Sequence, residues 1–429
     1  MAKRVLIVGG GGREDALAYI VSQSSKVSKI FCAPGNAGIA QRGADCIEIK
    51  PTEIQALSCF AEKNQIDLTI IGPEAPLVAG IVDEFVAKGL KIMGPTKAAA
   101  RIEGSKVWAK RMMRKYGVPT APFEDFDDPE KARDYLENPE RIPCVVKADG
   151  LAAGKGSLLC FTKEQGREAI ERIMVKKESG EAGNQIVIEE LLEGEEATFM
   201  VFTGGNRIIP MPSTQDHKPV FDRDQGLNTG GMGAYAPVPL ITPSLEEEIV
   251  EKIIYPILSG MQKEGIFYQG ILYAGLMITL EGPKLLECNC RFGDPELQPI
   301  ALLAKSDLIP LLEEVAEGQI KVTTNVEWES GSAVCVVMTS TGYPEKYETG
   351  KEIKDLAEVE DMEDVVVFHA GTRGVDGKIV TAGGRVLGVT ARASGIQGAI
   401  DLAYEAVSKI SWEGEYHRTD IGQKALRRI

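Results

Sequence analysis

Glu287, Asn289 and Arg291 stand two residues apart in the stretch LLECNCRFGDPE, residues 285–296. On an extended strand, residues two apart point to one face. An acid, an amide and a guanidinium then share that face, and a Phe-Gly-Asp-Pro turn follows them. Carboxylate and amide oxygens are hard donors of the kind Mg²⁺ takes, and Mg²⁺ needs few protein ligands where phosphates complete its shell. Taken alone, the same pattern describes a solvated sheet face. Its meaning depends on whether the chain supplies a nucleotide site. Cys288 and Cys290 alternate with these residues and belong on the opposite face.

Three further segments bear on that question. Residues 147–156, KADGLAAGKG, set Lys147 at the end of an apolar run and Lys155 beyond a glycine-rich loop. This is not a Walker A loop, because Gly156 follows Gly-Lys in place of Ser or Thr. A loop of this kind can close over a triphosphate and exclude water; a surface hairpin with solvated lysines is the plainer alternative. Lys106 sits in Glu103-Gly-Ser-Lys at a helix, where an exposed lysine is the default. Residues 186–192, IVIEELL, run into Glu193-Gly-Glu-Glu196 and resemble a hinge. A hinge backbone can meet an adenine edge while a carboxylate accepts from ribose hydroxyls. Gln215-Asp-His-Lys218 and residues 226–233, GLNTGGMG, suit a polar ligand, with His217 either a general base or a structural histidine bonded to backbone.

The elements that must position these residues follow from apolar periodicity. Over residues 3–103, apolar runs at 4–8, 29–32, 68–71 and 90–93 alternate with helical patterns such as 14–22 and 54–63. That alternation predicts a parallel sheet with right-handed crossovers. The turns 9–12, 33–38 (APGNAG), 72–77 (GPEAPL) and 94–95 then lie at strand ends, where such sheets bind ligands. The glycine turn 9–12 invites a dinucleotide, but Cys32-Ala-Pro-Gly-Asn36 stands where the second strand should end in an acid. The phosphate of a small substrate, held by backbone N–H groups, suits the turn better.

One helix is predicted over 97–116, stopped by Gly117 and Pro119. Residues 124–143 read as a connection with a short helix. A hairpin (144–147 and 157–161), a helix (163–176) and a strand (185–190) complete a small unit. A long helix spans 244–262. Beyond about 325 come short strands at 332–339, 365–370 and 378–389, then a helix at 395–408.

Composition bounds the answer. The 429 residues hold roughly two to four domains. A formal net charge of −15 argues against nucleic-acid binding, while leaving room for local anion pockets. No run is apolar enough to span a membrane, and the start MAKRVLIVGGGG has too short an apolar run for a signal peptide. Eight scattered cysteines without a C-x-x-C pair point to a reducing compartment, and three dispersed histidines argue against zinc.

In their order along the chain, Lys106, the 147–156 loop, the 189–196 hinge and Glu287-x-Asn289-x-Arg291 resemble the ATP-grasp superfamily. VLIVGGGGRE, APGNAG, GPEAPL, EGSK, VVKADGLAAGKG, QDHK, NTGGMGAY, NCRFGDPE, HAGT and TAGGRVLGVTA together resemble the phosphoribosylamine–glycine ligase (glycinamide ribonucleotide synthetase) family over nearly the whole chain. The resemblance implies an α/β chain, α+β in its centre: an ATP-grasp fold with an N-terminal parallel-sheet domain and a small C-terminal mixed β domain. The expected bounds are 1–103, 104–325 with a mobile lid at about 124–194, and 326–429.

By that resemblance Lys106 and Lys147 contact ATP phosphates, and Gly150, Gly154, Lys155 and Gly156 belong to the closing loop. Glu189, Glu190 and Leu192 frame adenine, and Glu196 or Glu195 the ribose. Glu287 and Asn289 bind Mg²⁺ or Mn²⁺, and Arg291 steadies the transferring phosphoryl group. Gly12, Asn36, Gly72, Pro73 and Glu74 hold phosphoribosylamine, with Asp216, Lys218, Asn228, Thr229 and Gly230 on the substrate side. The implied reaction joins glycine to 5-phosphoribosylamine at the expense of ATP, in a cytoplasmic monomer with no nucleic-acid or membrane partner.

The chain departs from the family pattern at Asp15 (usually His), Pro219 (usually Arg), Leu297 (usually Thr) and Ala301-Leu-Leu303 (usually Leu-Pro-Arg). These changes are expected near the amine and phosphoribosyl side. They leave a different amine, or a nucleotide-binding regulator without turnover, as alternatives. A nicotinamide-dependent oxidoreductase is a third, weakened by the missing second-strand acid.

Overall fold

A computed structural model describes residues 2–151 and 156–428. The chain begins with a sheet of parallel strands, β1 (Lys3–Gly9), β2 (Val27–Pro34), β3 (Asp45–Cys46), β4 (Leu68–Ile71) and β5 (Ile92–Met93), in the order β3-β2-β1-β4-β5. Val5 to Val8 are fully buried, as a strand covered on both faces requires. Helices α1 (Gly12–Ser22), α2 (Ala37–Gln41), α3 (Ile54–Lys63), α4 (Glu74–Ala79) and α5 (Ile81–Ala87) connect the strands. The order reverses beside β1, so the turns after β1, β2 and β4 meet at one crevice. Gly35 N–H bonds Gly9 O at 3.0 Å, and Gly72 N–H bonds Val8 O at 2.9 Å.

The helix expected over 97–116 is two helices, α6 (Lys97–Gly104) and α7 (Lys106–Tyr116). Ser105 leaves helical geometry at φ −144° and caps the second helix, accepting from Trp108 N at 3.1 Å. Asp149 reinforces that start by accepting from Val107 N at 3.0 Å and from the Ser105 hydroxyl. The break matters because it puts Lys106 at the first turn of a helix whose N-terminus faces the lysine loop.

Next comes a four-stranded antiparallel sheet of β6 (Phe123–Phe126), β7 (Cys144–Ala148), β8 (Ser157–Cys160) and β9 (Ile186–Glu190), ordered β6-β9-β7-β8. The expected connection at 124–143 therefore begins with a strand. A second antiparallel sheet joins β10 (Glu195–Gly204), β11 (Arg207–Pro210), β16 (Gly270–Thr279) and β17 (Gly282–Asn289) in the order β11-β10-β16-β17. Between them in sequence lie β12 (Gln215–Asp216), β13 (Pro219–Phe221), β14 (Gln225–Asn228) and β15 (Gly233–Ala236).

The last sheet runs β12-β15-β18-β22-β19, built on β18 (Ser332–Ser340), β19 (Val365–His369), and β22 (Arg385–Ala393), with β23 (Glu415–Tyr416) beside β18. The hairpin of β20 (Thr372–Val375) and β21 (Lys378–Thr381) stands apart. The strand expected over 378–389 is thus two strands in different sheets. Strands β12 and β15 come from the middle of the chain yet pair into this C-terminal sheet. The Gln215–Lys218 segment is therefore held by both halves of the molecule.

Candidate active site

Lys147 and Glu189 lie on adjacent strands, β7 and β9, where Lys147 pairs with Val187 and Glu189 with Val145. They are diagonal neighbours on one face, and the Lys147 ammonium forms an ion pair with Glu189 Oε1. The other carboxylate oxygen, Oε2, lies 2.5 Å from Lys110 Nζ, which reaches across from α7. Lys106, one turn earlier on α7, donates to Gly150 O at 2.9 Å. Lys147 also donates to Leu286 O at 3.3 Å, so the lysine cluster abuts the strand that carries Glu287.

Electrostatics bind these groups into one unit. Burial pushes the Lys106 and Lys110 ammonium groups down, opposed by Glu287 at the first and by Glu189 at the second. Burial would raise the Glu189 carboxyl, but Lys147 and Lys110 hold it below the usual range. Lys218 draws Glu287 down to about 2 against burial, helped by Lys147, Lys106 and Arg291. Lys218 Nζ sits 3.6 Å from Glu287 Oε1 and 3.1 Å from Glu196 Oε2. Burial works against its charge, yet Glu196, Asp216 and Glu287 keep it protonated well above the ordinary lysine range. Asp216 is raised to about 7 by burial, with Lys218 opposing.

Glu287 and Asn289 share a face of β17, while Cys288 and Cys290 are buried behind it. With its amide nitrogen toward Glu103, Asn289 donates to Glu103 Oε1 at 3.0 Å and to Cys288 O at 3.3 Å. Its oxygen is thereby turned to the other side of the amide. Among the described residues no three His, Cys, Asp or Glu groups gather as a protein-only metal cage. One ionised carboxylate and one oriented amide oxygen fit a hard cation that draws its remaining ligands from phosphate and water. Arg291 follows on the same side, 3.2 Å from Glu103 Oε1 and 3.5 Å from Glu74 Oε2. Its Nε is the atom that faces Glu74 Oε2, outside hydrogen-bonding geometry, so the guanidinium is held between the Glu74 and Glu103 carboxylates.

The glycine turn after β1 is filled differently from expectation. Gly10 and Gly11 N–H groups donate to Glu14 Oε2, at 3.1 and 2.5 Å, closing a capping box on α1. The anion at these amides is the chain's own glutamate. A Cβ on Gly72 would stand 1.8 Å from Glu14 Oε1, so glycine is needed there to make room for it. Asn36 caps α2, accepting from Ile39 N at 2.9 Å, and donates to His369 O at 2.7 Å, tying this loop to the C-terminal sheet. Gly12, Pro73 and Glu74 open the helices that ring the crevice.

Other expected residues spread around this centre. Glu190 is exposed, and Leu192 half-buried, at the end of β9. Glu195 pairs with Arg428 at 2.6 Å and accepts from Gln215 at 3.1 Å. Asn228 is exposed on the β13–β14 hairpin. Thr229 closes that hairpin on Lys218 O, and Gly230 N–H donates to the Tyr343 hydroxyl at 3.0 Å. Gly150 and Gly156 flank residues 152–155, and Gly154 and Lys155 lie outside the described residues. His217 is buried, neither ring nitrogen has a hydrogen-bond partner among the described residues, and burial pushes it down to about 3, which argues against both a general base and a histidine bonded to backbone.

Lys110, Glu103 and Glu14 went unnoticed in the sequence. The available signals were the i, i+4 spacing of Lys110 from Lys106 and of Glu14 from Gly10. Nothing local marks Glu103, whose carboxylate accepts from Cys290 N, 187 residues away, at 2.7 Å.

Models of three phosphoribosylglycinamide synthetase domains match in succession: the N domain over residues 3–103, the ATP-grasp (A) domain over 104–297 and the C domain over 333–424. The chain belongs to the phosphoribosylglycinamide synthetase family. It is 49% identical to the phosphoribosylamine–glycine ligase of Caldanaerobacter subterraneus, over 97% of this chain and 99% of the relative. It is 47% identical to that of Escherichia coli O157:H7, over 99% of each. A crystal structure of the Thermotoga maritima phosphoribosylamine–glycine ligase superposes with a TM-score of 0.83 at 35% identity, covering 97% of this chain and 99% of that one. The biotin carboxylase domain of Hydrogenobacter thermophilus 2-oxoglutarate carboxylase matches at TM-score 0.75 and 17% identity, over 97% and 92% of the two chains, which shows the shared ATP-grasp fold.

Within the family, the departures at Asp15 and in the helix after Glu296 are accounted for by packing. Asp15 is fully buried, pairing with Arg42 Nε at 2.6 Å and accepting from His369 N at 2.7 Å. Leu297 and Ala301 to Leu303 lie in a helix, Leu297–Leu303, whose every residue is buried. Pro219 O accepts from the buried Arg418 at 3.0 Å.

Proposed function

We propose that this chain is an ATP-dependent carboxylate–amine ligase that joins glycine to 5-phosphoribosylamine, giving glycinamide ribonucleotide, ADP and phosphate. The observation that carries the proposal is the ionised Glu287 beside Asn289 and Arg291, set against a buried cluster of lysines. The domain division at 1–103, 104–325 and 326–429 then assigns the amine to the first unit and ATP to the second. Relatives matched along nearly their whole length support both substrates.

The glycine carboxylate attacks the γ-phosphate in line, and ADP leaves. Lys106, Lys147 and Arg291 meet the charge that spreads over the transferring group. Bound at Glu287 and Asn289, Mg²⁺ (or Mn²⁺, by the same donor chemistry) supplies further neutralisation of phosphate charge. The amine of phosphoribosylamine then attacks the acyl carbon of glycyl phosphate, releases phosphate and gives up a proton. Glu74, paired with Arg291, stands where the phosphoribosyl crevice meets the phosphoryl site. The 147–156 loop, with Gly150, Gly154, Lys155 and Gly156, shields the acyl phosphate from hydrolysis. Glu189, Glu190 and Leu192 are assigned to adenine, Glu196 or Glu195 to the ribose, and Asp216, Lys218, Asn228, Thr229 and Gly230 to the substrate side.

The proposed assembly is a monomer. No helix of the described residues is long and apolar enough to cross a membrane, and all eight cysteines are free, in keeping with a cytoplasmic setting. The test is phosphate release from ATP with glycine and 5-phosphoribosylamine, each omitted in turn. Release is expected only with both; turnover indifferent to either one overturns the assignment.

A further inference from the structure

Lys110 has no place in the chemistry described so far, yet it is one of the most buried lysines in the chain. It lies one helical turn beyond Lys106, on the same side of α7. Its ammonium reaches Glu189 Oε2 at 2.5 Å and donates to Thr120 Oγ1 at 2.6 Å, and that hydroxyl donates to Leu285 O at 2.6 Å. Glu189 Oε1 is held by Lys147. Among the described residues, Glu189 is the single carboxylate in an ion pair with either lysine.

Two ammonium groups therefore share one carboxylate, and the buried triad carries a net charge of +1. Stability alone does not call for this. Burying an ion is costly even when it is paired, and an uncompensated charge costs more. A balanced pair, or apolar side chains of similar volume, would fill the same space at lower cost. An excess positive charge kept beside Lys106 and the Glu287 strand is understandable where an anion completes the cluster.

We propose that Lys110 is a positioning residue for the nucleotide phosphates. By holding one oxygen of Glu189, it keeps that carboxylate from neutralising Lys147 alone, and it supplies the charge that leaves the triad positive toward a polyphosphate. This rests on the ATP part of the proposed function and not on the identity of the amine. Without Lys110, Lys147 and Glu189 form a closed neutral pair, and the polyphosphate loses one buried unit charge of attraction.

The experiment measures binding of ATP and of inorganic tripolyphosphate by calorimetry, without glycine or phosphoribosylamine, alongside KM values and Tm. Lys110→Met is expected to weaken both ligands about tenfold. The KM for glycine should be unchanged. Lys110→Arg keeps the charge and stays within about threefold of the parent. Lys110→Met combined with Glu189→Gln restores the net charge of +1 and should recover most of the tripolyphosphate affinity. If Lys110→Met does not fold, Lys110→Gln is read in its place and in the same combination. Parent-like affinity in Lys110→Met, or a loss that reaches glycine equally and is not relieved by Glu189→Gln, overturns the proposal. A parent chain that binds ATP but does not ligate glycine sinks the assigned reaction and leaves this test standing. A parent chain that does not bind ATP overturns both.

Discussion

The lysine cluster and the glycine turns are both polar, both glycine-bordered and both at strand ends, but they are finished to different degrees. Around Glu189 and Glu287 the charges are left open: two lysines share one carboxylate, and among the described residues Lys106 bonds only a backbone oxygen, Gly150 O. At the turns after β1, β2 and β4 the polar groups answer one another. Glu14 takes the Gly10 and Gly11 amides, Asn36 caps a helix and ties to His369, and Asp15 takes Arg42 and the His369 N–H. An unfinished region stores affinity for a ligand at a cost to stability, and a finished one stores stability. Substitutions in the two regions should therefore fail in different ways.

The largest effect is expected at the open side. Glu287→Ala removes the proposed metal carboxylate and should lower kcat by about 1000-fold or more at ordinary Mg²⁺. Lys218, Lys147, Lys106 and Arg291 must then repel one another without that carboxylate, so Tm should fall as well, and kcat is compared well below the melt of the variant. Activity within tenfold of the parent would remove the metal assignment and with it the contrast between the regions. Steady-state kinetics and a thermal melt read the two quantities separately.

Acid should act through two buried histidines, His369 on the closed side and His217 between Asp216 and Lys218. Burial pushes His217 down to about 3 and His369 down to about 4. A histidine ordinarily titrates near about 6.5, so the unfolded chain binds these protons first as pH falls. The stability each contributes is whole above about pH 6.5 and declines as pH drops toward the folded values, by about 3 kcal/mol at pH 4 for His217. Urea midpoints measured from pH 7 to pH 4 should fall accordingly, and His217→Phe should flatten the slope. An unchanged slope would mean that His217 is not buried in its neutral form.

Gly72→Ala addresses the packing that closes the turn. The added Cβ would meet Glu14 Oε1 at 1.8 Å, so the glutamate must leave the amides it caps. A loss of about 2 kcal/mol is expected from overpacking and the lost cap. A melt equal to the parent would show that Glu14 does not sit in the turn.

What could be read from the sequence follows the same line. Parallel strands, their glycine turns and the lysine loop declared themselves through local spacing, because periodicity and turn chemistry act over a few residues. Closed-side partners did not. Arg13 donates to Phe292 O across 279 positions, and Asp15 meets His369 across 354. Such pairs exist only after the first sheet docks against the later ones, so nothing near Asp15 in the sequence marks what it bonds. The split of the 97–116 helix was written locally, in Gly104-Ser105, and was masked by continuous helical periodicity on both sides. Lys110 escaped for a different reason: a lysine on a helix is taken as solvated unless its carboxylate is known.

The smallest effect tests whether the family departures touch specificity at all. Asp15 stands where the resemblance leads to a histidine, close to a turn expected to hold phosphoribosylamine, which made it look like a change of substrate. Its carboxylate instead joins three pieces of backbone: α1, which carries it, the loop after α2 through Arg42, and β19 through the His369 N–H. Arg42 continues the joint by donating to Val367 O at 3.1 Å and lying over the Tyr19 and Phe368 rings. Asp15→Asn keeps an acceptor for the His369 amide but removes the charge opposite Arg42, whose guanidinium is partly exposed and can rehydrate. The expected cost is about 1 kcal/mol, well below that of a fully buried broken pair. The KM for phosphoribosylamine should stay within about twofold of the parent, since a stability loss of this size leaves the native population nearly complete. A selective rise in that KM, with Tm unchanged, would move Asp15 from the closed side to the open one.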